Sequence, residues 1–133
     1  MTIAKAWPFQ EAVFAAIEAA LPGVPGYAYI PERPDLRHWR IDGWTIDPTE
    51  VFKNKDRAEH GVTVHVMDAP ENGTRDLQWV KETIATIHTA LQDFRLDADA
   101  GKLVAQSADA RLEPRDDKRH DAHAFIRYNA ALE

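Results

Sequence analysis

With 133 residues, 44% of them hydrophobic, and a formal charge of −6, the chain can bury one core of useful size but has no basic surplus to neutralise a phosphate backbone. The most basic cluster, Lys118, Arg119 and His120, sits beside Asp116, Asp117 and Asp121, so its local field nearly cancels. The absence of cysteine excludes disulfides, thiolate chemistry and cysteine-ligated zinc or iron–sulfur centres.

The opening MTIAKAWPFQ lacks a basic region followed by an apolar run, and AVFAAIEAAL is cut by Glu18. Neither a signal peptide nor a spanning helix is expected, and the chain reads as a single soluble domain, 1–133, made in the cytoplasm. A first helix is predicted from about Pro8 to Ala20. Proline suits a first turn, Phe9, Val13, Ile17 and Leu21 recur every four residues, and Pro22-Gly23 ends the run. The prolines of PGVPGYAYIPERPDL confine the next strand to Tyr27–Ile30, on an edge.

HWRIDGWTID alternates Trp39, Ile41 and Gly43 against Arg40, Asp42 and Trp44, which predicts a short strand or a hairpin around Asp42-Gly43. PTEVFKNKDRAEH is polar and charged and is expected to be a mobile loop before a strand over 61–67, where Val62, Val64 and Val66 alternate with Thr63, His65 and Met67. After the turn DAPENGT, a helix is expected from Thr74, a candidate N-cap, to about Phe94. Its apolar stripe is Leu77, Val80, Ile84, Ile87 and Leu91. Two strands follow. The first spans 103–112, with Val104, Ala108, Ala110 and Leu112 on one side. The second spans 122–131, with Ala122, Ala124, Ile126 and Tyr128 opposed by His123, Phe125, Arg127 and Asn129. This order predicts an α+β domain with a mostly antiparallel sheet of four to five strands and two helices packed on one face.

The sequence offers little that looks like catalysis. Histidines stand at 38, 60, 65, 88, 120 and 123. The pairs 60/65 and 120/123 flank the starts of two strands, so a meeting of the four could form a metal site, but neither pair has the spacing of a zinc motif; solvated or capping histidines are the better reading. The carboxylate pairs Asp97/Asp99 and Asp116/Asp117 lie in predicted turns, where aspartate is favoured for its local hydrogen bonds. Ser107, the single serine, sits mid-strand without a glycine elbow, and no stretch matches a phosphate-binding loop. No cofactor is expected. Of the tryptophans at 7, 39, 44 and 79, two are expected in the core and at least one at a subunit contact. The contact candidates are Trp44 and Trp79, with Trp79 preferred because it lies off the apolar stripe.

From Glu59 onward a charged loop leads into V-T-V-H-V, a turn with Gly73, the helix WVKETIATIHTAL, then G-K-L-V, A-R-L-E-P-R-D-D and a closing H-A-F-I-R-Y. This order, with FQEAVFAAIEAALPGV as an opening helix, resembles the tail terminator or tail completion proteins of tailed phages, prophages and gene transfer agents. The resemblance covers most of the chain and rests on pattern rather than an invariant motif. Members of that family usually carry tryptophan where Met67 ends the central strand, and WRIDGWTIDPTEVFKNKDR is longer or more divergent than its counterpart in them; both departures fall on partner contacts more than on the fold.

The resemblance implies a non-enzymatic structural protein: a hexameric ring that caps the finished tail tube, ends its polymerisation and offers a docking surface to the head connector or stopper protein. It would be made in the host cytoplasm and end at the head–tail junction of the particle. Six copies at −6 each carry about −36, so DNA would slide through the lumen rather than stick. Candidate contact residues are Trp44, Trp79, Met67 and Phe125, with Glu50, Lys53, Lys55, Asp56 and Arg57 in one polar loop and Asp116, Asp117, Lys118 and Arg119 in another. Three other readings stay open: a head–tail adaptor or stopper of the neck, a small metal-dependent enzyme using the histidines, and a stand-alone dimeric module.

Overall fold

The computed structural model describes residues 5–52, 55–72, 76–97 and 100–132, with side chains at 48–52, 55–57 and 72 left aside. Helix α1 spans Ala6–Ala20, and α2 spans Gln78–Leu91. The strands are β1 (Gly26–Tyr27), β2 (Arg37–Phe52), β3 (Lys55–Asp68), β4 (Val104–Pro114) and β5 (His120–Leu132). They form one open sheet in the order β1-β2-β3-β5-β4, antiparallel except for the short β1–β2 pair. The domain is α+β, as the sequence predicts.

Both helices cover the same face of the sheet. Phe9, Val13 and Ile17 of α1 are fully buried, and the Phe14 ring lies 4.8 Å from that of Trp39 on β2. From α2, Val80, Thr83, Ile87 and Leu91 are buried, while Leu77 and Ile84 pack at the margin. The first turn of α2 is capped by Asp76, whose Oδ1 accepts the Gln78 N–H at 3.0 Å; Thr74 lies outside the described residues. Beneath the helices the sheet supplies Trp39 and Ile41, Val62, Val64 and Val66, and every even-numbered residue of β5 from Ala122 to Leu132. Tyr128 is buried among them. Burial pushes its phenol up to about 12, so the O–H stays protonated, and the hydroxyl forms a hydrogen bond with His88 Nδ1 at 2.8 Å.

The structure corrects four expectations. There is no hairpin at Asp42-Gly43: β2 runs on for 16 residues, and Gly43 takes φ +61 inside a bulge between Asp42 and Thr45. A left-handed residue there is one that glycine adopts without steric cost. The bulge advances the side-chain alternation by one, so Trp44 turns to the helix side, its ring 6.0 Å from Phe9, rather than sharing a face with Arg40 and Asp42.

Next, residues 48–52 and 55–60 of the polar segment are strand rather than loop. β2 and β3 pair out to Phe52↔Lys55, past the last β3–β5 partner at Ala58↔Leu132, because ladder hydrogen bonds come from the backbone and do not require apolar side chains. Glu50, Lys55, Asp56 and Arg57 therefore sit on a strand arm; Lys53 lies outside the described residues. The edge strand near Tyr27 is two residues long rather than four. Finally, a second bulge between Ala105 and Ser107 sends Val104 to the face opposite Ala108, Ala110 and Leu112, which oppose Ile126, Ala124 and Ala122.

Candidate functional site

Among the described residues, no helix covers the opposite face of the sheet, which gathers most of the polar side chains of the strands and is overlaid only near His38 and Met67, by Tyr27 and residues 30–36. The register aligns Arg40 and Asp42 of β2 with His65 and Thr63 of β3, these with Phe125 and Arg127 of β5, and these with Asp109 and Ser107 of β4. One row further along, Met67, His123 and Arg111 are neighbours across three strands. Residues that are far apart in sequence thus become a continuous patch by pairing alone.

A chain of hydrogen bonds crosses this patch. His65 Nε2 donates to Asp42 Oδ1 at 2.8 Å, His65 Nδ1 meets His123 Nε2 at 2.8 Å, and His123 Nδ1 donates to Glu113 Oε1 at 2.6 Å. Glu113 also accepts from Arg111 Nε at 3.0 Å, and the Arg111 guanidinium lies 5.9 Å from the centre of the Phe125 ring. Burial holds His65 below the ordinary histidine range, against the opposing pull of Asp42. For Glu113, burial acts upward but is outweighed by the hydrogen bonds from His123 and Arg111, leaving the carboxyl below its usual value.

A second device lies one step along. Arg127 reaches from β5 across β3 to β2, donating to the Gly43 carbonyl, to Thr63 Oγ1 at 3.1 Å and to Thr45 Oγ1 at 2.6 Å. Its path passes over Gly61, where a Cβ would occupy the place of the guanidinium and the Thr45 hydroxyl. Gly61→Ala is expected to cost about 1–2 kcal/mol in urea unfolding by displacing this strap, and under about 0.5 kcal/mol in an Arg127→Ala background. Equal costs in both backgrounds would show that the strap is not what the methyl disturbs.

The β4–β5 turn is ordered by charge. Arg115 bonds Glu71 at 2.8 Å, and Arg119 bonds Glu71 at 3.1 Å and Asp117 at 2.6 Å, with Asp121 3.5 Å from Arg115. Lys118 takes φ 67 at the tip. The hydrogen bond from Arg115 holds Glu71, and that from Arg119 holds Asp117, below the ordinary carboxylate range. Exposed pairs stabilise little singly, but here five charges form a network that fixes the turn against the 3-10 segment Pro70–Asn72.

The candidates named from sequence are dispersed. Met67 and Phe125 stand on the helix-free face, Asp116, Asp117, Lys118 and Arg119 in the ion-paired turn, and Glu50, Lys55, Asp56 and Arg57 on the arm. Trp44 and Trp79 are both half-buried against the core. Trp79 carries the Arg37 guanidinium 4.8 Å over its ring, and Arg37 in turn bonds the buried Asp68 at 3.1 Å. Trp39 is fully buried, and Trp7 is 63% exposed.

The histidines meet in a different combination from the one the sequence suggests. His65 and His123 pair, His60 is buried on the helix side with its ring 5.7 Å from Phe9, and His120 is exposed. Among the described residues no group of three or more histidine or carboxylate side chains is arranged to hold a metal, and no helix is long and apolar enough to cross a membrane. Sequence reasoning missed Asp42 and Arg127. Glycines 43 and 61 inside strands were the available signal, since an in-strand glycine marks a bulge or a close approach.

No family model and no curated protein matches the sequence. Among solved structures, a chain in the virion of a native gene transfer agent (GTA) particle shares the fold, with a TM-score of 0.62 over 91% of this chain and 91% of that chain. The identity is 18%, so the likeness is one of fold.

Proposed function

We propose that the chain is a structural subunit of a phage-like particle, of the tail terminator kind, which assembles as a hexameric ring to cap the tail tube, end its growth and present a docking surface to the head connector. The observation that carries this reading is the fold shared, over 91% of both chains, with a chain of a gene transfer agent virion. It acts by shape and contact, without catalysis, and its net charge of −6 suits a lumen through which DNA passes without being gripped.

The sheet has the edges that such a ring needs. β4 is an edge strand, exposed along almost its whole length. On the opposite side β1 covers only Trp39 and Arg40, and among the described residues nothing pairs with the outer edge of β2 beyond them. The two edges differ and run antiparallel within the sheet, so copies side by side in one orientation would bring β4 of one against β2 of the next. Such contact is head-to-tail and closes into a ring when the rotation fits. The arm ending at Phe52 and Lys55 and the turn at 115–119 then project as contacts for tube and connector.

The test is light-scattering mass for the protein alone and mixed with assembled tail tubes, followed by electron microscopy. Hexamer rings at one end of the tubes are the expected result; a monomer or dimer that binds neither tubes nor connectors would overturn the reading, and binding to connectors alone would place the protein in the neck. Gln106→Pro tests the edge contact, because Gln106 is the extra residue of the β4 bulge, where proline is tolerated. Its fold and melting temperature should change little while ring formation is lost.

A further inference from the structure

We propose that Asp42, His65, His123 and Glu113 form a proton-gated clamp that ties β2, β3, β5 and β4 together across the helix-free face and holds one proton more than two neutral histidines would carry. The inference comes from counting hydrogen atoms. The chain contains three hydrogen bonds, from Asp42 through His65 and His123 to Glu113, at 2.8, 2.8 and 2.6 Å. Carboxylates only accept, so both end bonds require an N–H, one on His65 Nε2 and one on His123 Nδ1. The central bond needs a third hydrogen between His65 Nδ1 and His123 Nε2. Two neutral imidazoles supply two hydrogens in total, so the closed clamp contains one shared positive charge, held between two negative ends; the proton that burial disfavours at His65 is the second, which would charge both rings.

Both departures from this count open it. A fourth proton sets two N–H groups head to head at a separation suited to one hydrogen bond, and the rings, edge to edge with centroids 5.0 Å apart and planes 22° from parallel, must part. Loss of the third leaves one contact with no hydrogen, either between the rings or at a carboxylate. The other charged groups around the pair are Arg40 on β2, Asp121 and Arg127 on β5, and Asp109 and Arg111 on β4; with the end carboxylates Asp42 and Glu113, four negative groups surround it against three positive. His123 and His65 are largely enclosed between Phe125 and Met67, which slows exchange of the shared proton with solvent. Acidification would therefore release the cross-strand tie without touching the apolar core on the other face.

The experiment is a nitrogen-15 imidazole titration of the full chain. Around neutral pH three of the four ring nitrogens of His65 and His123 should be protonated, and on acidification the fourth should be protonated as the short inter-ring contact is lost. In the double variant D42N/E113Q, with neutral ends, the count at neutral pH should fall from three to two. Two protonated nitrogens in the wild type at neutral pH, or two rings that titrate as independent imidazoles, would overturn the clamp, as would three protonated nitrogens persisting in D42N/E113Q. The wild-type titration stands even if the double variant does not fold.

Discussion

Replacing Trp39 by alanine is expected to cost about 3–5 kcal/mol, a large part of the roughly 5–15 kcal/mol that holds a domain of this size together. Trp39 has no exposed surface, fills the space between β2 and α1, and donates its indole N–H to the Val24 carbonyl at 3.2 Å. The substitution therefore removes the largest side chain of the core, opens a cavity and leaves a carbonyl without its partner. The measurement is urea unfolding followed by circular dichroism. The midpoint should fall sharply, with Trp39→Phe retaining most of the loss, while Trp7→Ala on the exposed side of α1 should change stability by less than about 1 kcal/mol. A Trp39→Ala change of similar small size would mean that α1 does not pack on the sheet as described.

Acidification below about pH 6.5 should destabilise the fold. His38 and His65 are both held below the ordinary histidine value of 6.5, in each case chiefly by burial, with the hydrogen bond to the Asp35 carbonyl opposing at His38 and that to Asp42 opposing at His65. Between their folded values and 6.5 the unfolded chain binds more protons than the folded one, so stability rises with pH across that window and is lost as pH falls through it. Glu113 acts in the same sense nearer its reference value of 4.5, because its carboxyl is depressed in the folded state.

Asp121 works against them, since burial raises its carboxyl and favours the folded state in acid. Because the two histidines are the groups whose unfolded value lies in that window, the melting temperature should fall by several degrees between pH 6.5 and pH 5. A His38→Gln, His65→Gln variant should show a shallower fall. A melting temperature that rises over that interval would sink this account of the two histidines.

How much of this was legible in the sequence follows from the range of the interaction concerned. α2 shows in Val80, Ile87 and Leu91, and β5 in the strict alternation of Ala122, Ala124, Ile126 and Tyr128, because a regular period survives wherever one face meets a core. The same periods predicted the α+β class and the side on which the helices lie. The alternation misled at Trp44, where one extra residue in the bulge at Gly43 reversed the face assignments as far as Asp47, after which a second register shift restores them. Composition misled along 48–52 and 55–60, where polar residues lie on paired strands.

The helix-free face was invisible from sequence for a different reason. Asp42, His65, Glu113 and His123 come from four strands, and nothing in the local pattern around any of them records the partner. Their meeting is set by the registers Arg40↔His65, Met67↔His123 and Arg111↔His123, which are fixed by how the apolar residues on the other side of the sheet align under the helices. The sequence by itself determined the elements, their order and the absence of thiol chemistry, since these depend on local period and residue type. Only the tertiary structure decided which edges stay open, how far the arm extends and which titratable groups share a proton, because each depends on contacts between residues distant in the chain.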